Sequence, residues 1–154
     1  QIGFRLLTTL LQTYSGDIDA VIASLKDVKE EQKETLRRRC VCAWYWIKES
    51  APDCAPDFCF TLREDGSKAE DISGEMLTAV RRVRDEVVPR LDTFAVDKEC
   101  QQAMYDIATE LGLESKALFT ALYHALIGKD QGPRLASFFR IIGKEKLQKI
   151  LSVY

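Results

Sequence analysis

The chain has 154 residues, 46% apolar and 30% charged, enough for one domain with an ordinary buried core or two small intimate ones. No apolar run approaches the ~20 residues that cross a bilayer, so the sequence reads as a soluble globular protein. Its formal net charge of −2 argues against a strongly basic nucleic-acid module.

The start, Gln1-Ile2-Gly3-Phe4, has neither an initiator Met nor a charged leader and reads as a cut from a longer chain. Ile2, Leu6, Leu7, Leu10 and Leu11 then form an apolar stripe at helical spacing. Gly16-Asp17 breaks the chain and offers Asp17 as the cap of a short helix through Leu25. A third helix is expected from about Glu30 to Lys48, acidic at its start and basic toward its end, as the helix dipole favours. Glu34 and Arg38 form an i, i+4 pair on its exposed face, and Arg37-Arg38-Arg39 reads as a solvated face rather than a phosphate contact. Trp44 and Trp46 read as packing anchors.

This helix should fail near Ser50-Ala51-Pro52, because Pro lacks a donor and restricts its predecessor. A loop then runs to about Ser73, with Phe58-Cys59-Phe60-Thr61-Leu62 as the one stretch where β structure is expected, stopped by Asp65-Gly66. Ser73 can cap a helix through Met76, Leu77, Val80 and Val83, extended by Val87 and Val88 toward Pro89. Further helices are expected from Asp97 to Leu111 and from Ser115 to Ile127, the latter ended by a left-handed Gly128. Pro133 suits the first turn of a short helix, which Gly143 separates from a last one ending near Val153. Phe138 and Phe139 are adjacent, about 100° apart on a helix, so one is expected in the core and the other partly exposed. The fold class is all-α, a helical bundle with one irregular loop.

Catalytic chemistry is hard to place on these residues. The five cysteines (Cys40, Cys42, Cys54, Cys59, Cys100) include no CxxC pair, and Cys40 and Cys42 would point to nearly opposite sides of a helix. Buried, reduced thiols in a cytoplasmic protein are expected, with no metal. The single histidine, His124, lies among Leu122, Tyr123 and Leu126 with no sequence cue to a nucleophile or metal partner, and reads as a packed or interface residue. GxxxxGK, GxGxxG, HExxH and GxSxG are all absent, so no catalytic residue is assigned.

Charge is unevenly placed. From Lys129 onward six basic residues face two acidic ones, a balance of +4, which leaves −6 for residues 1–128. A basic end can attract phosphates while the acidic remainder discourages indiscriminate binding; an ordinary uneven surface would give the same counts.

The stretch Ala125-Leu126-Ile127-Gly128-Lys129-Asp130-Gln131-Gly132-Pro133-Arg134-Leu135, followed by Phe138-Phe139-Arg140-Ile141-Ile142-Gly143-Lys144-Glu145, resembles the C-terminal end of class I lysyl-tRNA synthetases. The related glutamyl-tRNA synthetases end similarly. Glu31-Gln32-Lys33-Glu34-Thr35-Leu36 and Ala43-Trp44-Tyr45-Trp46-Ile47-Lys48-Glu49-Ser50-Ala51-Pro52 extend the resemblance over nearly the whole chain, and Gly-Lys-x-x-Gly-Pro-Arg is its most specific motif.

The resemblance implies a non-catalytic, anticodon-binding part of a multidomain cytoplasmic enzyme. ATP and Mg would belong to a Rossmann-type catalytic domain of the same polypeptide, outside this sequence, and no cofactor to this chain. Residues 1–65 would form a helical subdomain adjoining that catalytic part, and residues 66–154 the anticodon-binding subdomain. The implied partners are lysine tRNA and the catalytic domain, with no membrane and no DNA. In the family the turn matching Gly132-Pro133-Arg134-Leu135 lies against the anticodon.

Elementary chemistry agrees with that use of the turn. A uridine-rich loop needs donors for carbonyl oxygens and an acceptor for an imino N–H; Gln131 supplies both, Arg134 a planar donor fork and Gly132 a close backbone approach. Gln131, Gly132, Pro133, Arg134 and Leu135 are therefore the expected reading residues, Lys129 a phosphate contact, and Arg140, Lys144 and Lys146 further basic contacts. The alternatives are a glutamyl-tRNA synthetase-like domain, a helical protein-interaction module, and a small enzyme built around His124 or the cysteines.

Overall fold

Helices account for the regular structure of the chain in the computed structural model, which describes residues 2–55 and 58–154. The part of the expected irregular loop that falls on Pro56 and Asp57 lies outside the described residues. The chain divides into two compact units, Gln1–Thr61 and Leu62–Tyr154.

In the first unit, α1 (Phe4–Thr13) and α2 (Ile18–Ser24) pack against the long α3 (Glu30–Glu49). Leu7, Leu10 and Leu11 of the α1 stripe are buried, as are Leu36, Cys40, Ala43 and Ile47 of α3 at helical spacing, whereas Leu6 is exposed. The buried threonines of α1 satisfy their hydroxyls locally, Thr9 on the Arg5 carbonyl (2.9 Å) and Thr13 on the Thr9 carbonyl (2.8 Å). Asp17 caps α2 by accepting from the Ala20 N–H at 3.1 Å. Gly16, at φ +82°, lies under the Trp44 indole, where a Cβ would collide with the ring. Trp46 meets Phe4 and Phe58 edge-on, each at 5.5 Å between ring centroids.

Two expectations change here. The long helix does end at Glu49, as expected, but the irregular loop does not begin at Pro52: Ala51–Cys54 form a short α4 with Pro52 in its first turn, where no N–H is required. Phe58–Leu62 is not a strand, and no strand occurs among the described residues. In place of a ladder, the half-buried segment is held by one buried side-chain amide. The Phe60 N–H donates to Gln12 Oε1 (2.8 Å), and Gln12 Nε2 donates to the Phe58 carbonyl (3.3 Å). Of the thiols, Cys40 and Cys100 are buried as expected, but Cys42 and Cys54 are exposed and Cys59 is half-buried.

The second unit begins with an irregular segment, residues 62–73, followed by α5 (Gly74–Arg82). Ser73 occupies the N-cap position of α5 without a side-chain cap bond. The helix expected to run through Val88 instead widens into a π turn at Val83–Val87, with the Val88 N–H on the Val83 carbonyl, and tightens into a 3₁₀ stretch at Val88–Thr93. Pro89 accounts for the change, since it lacks the donor and its ring excludes an α-helical carbonyl four residues earlier. Next come α6 (Asp97–Glu110), α7 (Ser115–Ile127), α8 (Leu135–Ile142) and α9 (Lys144–Leu151).

Phe138 and Phe139 are both fully buried, against the expectation that one would be partly exposed. Helix α8 packs against α6, α9 and the Val88–Thr93 stretch, so two faces of it meet protein. Pro133 likewise lies just before α8 rather than in its first turn, because the helix starts at Leu135 with Arg134 as its N-cap residue.

Candidate nucleic-acid interface

The turn at residues 128–134 is fixed by the last two turns of α7. Gly128 is left-handed (φ +68°), and its N–H donates to the carbonyls of Tyr123 and His124, both at 3.1 Å. The Tyr123 hydroxyl then donates to the Pro133 carbonyl at 2.7 Å, across the turn. Burial pushes that hydroxyl's pKa up, so it remains a donor. Gly132 rests on this shelf: a Cβ there would lie 2.8 Å from Ile127 Cδ1 and 3.2 Å from the Tyr123 ring. Its value is therefore space, not positive φ.

His124 grips the turn from the same helix. Its Nε2 lies 2.5 Å from Asp130 Oδ1, and its Nδ1 lies 2.6 Å from Asp71 Oδ2. The hydrogen bond to Asp130, with the one to Asp71, holds the imidazole pKa above its ordinary value despite the opposing effect of burial. The hydrogen bond from His124 in turn depresses the Asp71 carboxyl. A cation also sits on the end of α7. The Arg63 N–H donates to the Leu126 carbonyl (2.8 Å) and Arg63 Nε to the His124 carbonyl (2.8 Å), where the helix dipole is negative.

The expected reading residues separate by exposure. Gln131, Gly132 and Arg134 are exposed, Lys129 and Pro133 are half-buried, and Leu135 is 5% exposed, so its side chain belongs to the core. Arg140, although exposed, is engaged within the protein. Its Nε lies 3.1 Å from Asp97 Oδ1, and its guanidinium donates to the Phe94 carbonyl at 2.9 Å. Lys146 Nζ lies 3.3 Å from Glu64. Lys144 is half-buried at the start of α9.

Sequence reasoning did not identify Tyr123, His124, Arg63 or Asp71 as supports of the turn. The i, i+4 spacing of Tyr123 and Ile127 just before Gly128 was the available signal; Arg63 and Asp71 come from a segment more than fifty residues away in sequence, and no local pattern links them. Elsewhere in this unit, an open groove of about 550 Å³ lies between Arg82–Phe94 and α6. Its rim carries Arg82 and Arg90 against Glu86, Glu99, Asp106 and Glu110, an acidic balance that disfavours phosphates. No group of three or more His, Cys, Asp or Glu side chains arranged to hold a metal ion occurs among the described residues.

Comparison with known proteins gives the chain its relatives. The chain is 48% identical over 155 residues to a lysine–tRNA ligase of Treponema pallidum (strain Nichols), covering 100% of the chain and 28% of that protein. It is 33% identical over 154 residues to the lysine–tRNA ligase of Borrelia garinii subsp. bavariensis, covering 100% of the chain and 29% of the relative. The corresponding protein of Thermococcus kodakarensis is 34% identical over 158 residues, covering 98% of the chain and 29% of the relative. The chain thus spans under a third of the length of these relatives. Residues 57–152, which hold α5 to α9 and the whole turn, match the family described as "Anticodon binding domain", and the chain belongs to that family.

Proposed function

We propose that this chain binds the anticodon loop of a lysine tRNA as part of a lysine–tRNA ligase. The observation that carries the reading is the turn itself: Gln131 and Arg134 are exposed while Tyr123, Ile127 and His124 hold the backbone between and beside them. Such a preorganised polar edge suits unstacked bases, which are recognised along their hydrogen-bonding edges. Gln131 offers a donor and an acceptor to uridine, Arg134 a donor fork, and Lys129 a positive charge for the backbone. Leu135 contributes through its main chain, since its side chain is buried. Arg140 and Lys146 already have carboxylate neighbours, so they act as secondary contacts alongside Lys144. Lysine activation with ATP and Mg belongs to the remainder of a longer polypeptide, and the setting is the cytoplasm.

Binding of the chain to lysine tRNA, and to the same tRNA carrying a glutamate anticodon, across a salt series tests this. The expected result is preference for the lysine anticodon and a log–log salt slope of about −0.7 per phosphate neutralised. Arg134→Ala should weaken binding by about 1–3 kcal/mol and relax the preference. Equal binding of every anticodon by parent and variant would refute the reading role of Arg134. Salt-insensitive binding of a protein in place of RNA would favour the interaction-module alternative.

A further inference from the structure

His124 has a carboxylate oxygen on each ring nitrogen, at 2.6 Å (Asp71) and 2.5 Å (Asp130). An ionised carboxylate only accepts, so both nitrogens must donate, and only the imidazolium carries two N–H groups; a neutral ring can satisfy one partner. The two carboxylates come from different segments. Asp71 lies in the stretch before α5 and Asp130 in the turn, and their side chains are 59% and 80% exposed against 25% for His124. Asp71 and Asp130 are the charged groups that act on the ring, with Arg63 held on the His124 carbonyl and Tyr123 directed to Pro133.

We propose that His124 is a positioning residue for RNA: as an imidazolium it clasps Asp130 of the turn to Asp71, and its deprotonation loosens the turn and leaves a bare carboxylate beside the bound polyanion. The inference rests on the anticodon-binding reading. The Tyr123 hydroxyl fixes the far end of the turn at Pro133, while the histidine fixes the near end at Asp130. Asp130 is flanked by Lys129 and Gln131, so its charge lies among the groups meant for phosphate and base. Paired with a cation, it is neutral toward RNA; unpaired, it repels it. Histidine is the side chain whose charge changes near neutral pH, so the clasp couples RNA binding to pH.

The test uses the fact that the chain has a single histidine, so one imidazole Cε1–H signal in the NMR spectrum follows its titration. The midpoint is expected above that of a free imidazole, and to fall toward it in both Asp71→Asn and Asp130→Asn. Binding of a lysine tRNA transcript is then measured between about pH 5.5 and 8.5 for the parent and for His124→Gln. The parent should weaken by roughly threefold to tenfold across its own titration midpoint. His124→Gln, with a folded circular dichroism spectrum, should bind at the parent's high-pH level with no such step. An unshifted midpoint, or the same pH step in parent and variant, would overturn the proposal. Absence of tRNA binding at every pH would overturn it too, and a raised midpoint that still falls in Asp130→Asn would then locate the fault in the RNA reading rather than in the clasp.

Discussion

Tyr123 acts on the turn from the half-buried face of α7. Its hydroxyl reaches the Pro133 carbonyl at 2.7 Å while its ring floors Gly132, so one residue sets both the height and the far anchor of the turn. Tyr123→Phe keeps the floor and removes the anchor. It should cost about 0.5–1.5 kcal/mol in urea unfolding and also weaken tRNA binding, since the freed turn must be ordered on association. Gly132→Ala separates the two effects. The added methyl meets the movable end of Ile127 and the anchored Tyr123 ring, so the exposed turn shifts outward. Stability should change by about 1 kcal/mol or less while tRNA affinity falls roughly tenfold; unchanged binding would show that the turn's position is immaterial. The polar character of this turn was legible in Lys129-Asp130-Gln131. The space that Gly132 leaves for Ile127 and Tyr123 was not, because it depends on how α7 presents its last two turns.

At the scale of elements, the helices were legible where apolar periodicity was strong and a breaker stood at the end. Asp17, Gly112 and Gly128 each mark a boundary, and α6 and α7 end close to where Leu111 and Ile127 placed them. Periodicity misleads where tertiary packing is two-sided. Phe138 and Phe139 cannot share a narrow stripe, yet both are buried because α8 has neighbours on more than one side. Phe138→Ala and Phe139→Ala should therefore each cost about 3–5 kcal/mol in denaturant unfolding, with neither behaving as a surface change. The Phe58–Leu62 segment fails as a strand for a related reason: alternation shows extension, not a partner. Gln12 supplies the partner from α1 with one donor and one acceptor, as a neighbouring strand would. Gln12→Met removes both and should destabilise by about 1–3 kcal/mol, the cost of leaving a partly buried donor unsatisfied.

For the whole molecule, the titrating groups bound a pH range of maximal stability, and the sign follows group by group. Asp65, Asp71, Asp85 and Glu86 all titrate below their ordinary values, held down by hydrogen bonds to Ser67, His124, Arg84 and Arg82 respectively. Their contribution is present above the unfolded carboxylate pKa and is lost as pH falls through the lower folded values. His124 works in the other direction, because its folded pKa is raised. Its contribution is complete below the ordinary imidazole pKa and disappears as pH rises through the folded midpoint. Burial also raises both core thiols, Cys40 and Cys100, the latter to about 11. Their proton-bound native state keeps its advantage until the unfolded thiols ionise, so a further loss begins near pH 9 and, for Cys100, finishes near 11. Urea unfolding as a function of pH should then show an acid limb, a step around neutrality and an alkaline limb. His124→Gln should erase the neutral step and leave both limbs in place. The same substitution is expected to erase the pH step in RNA binding, so one ionisation would account for both profiles; a neutral step that survived in the variant would assign it to another group and separate turn stability from RNA recognition.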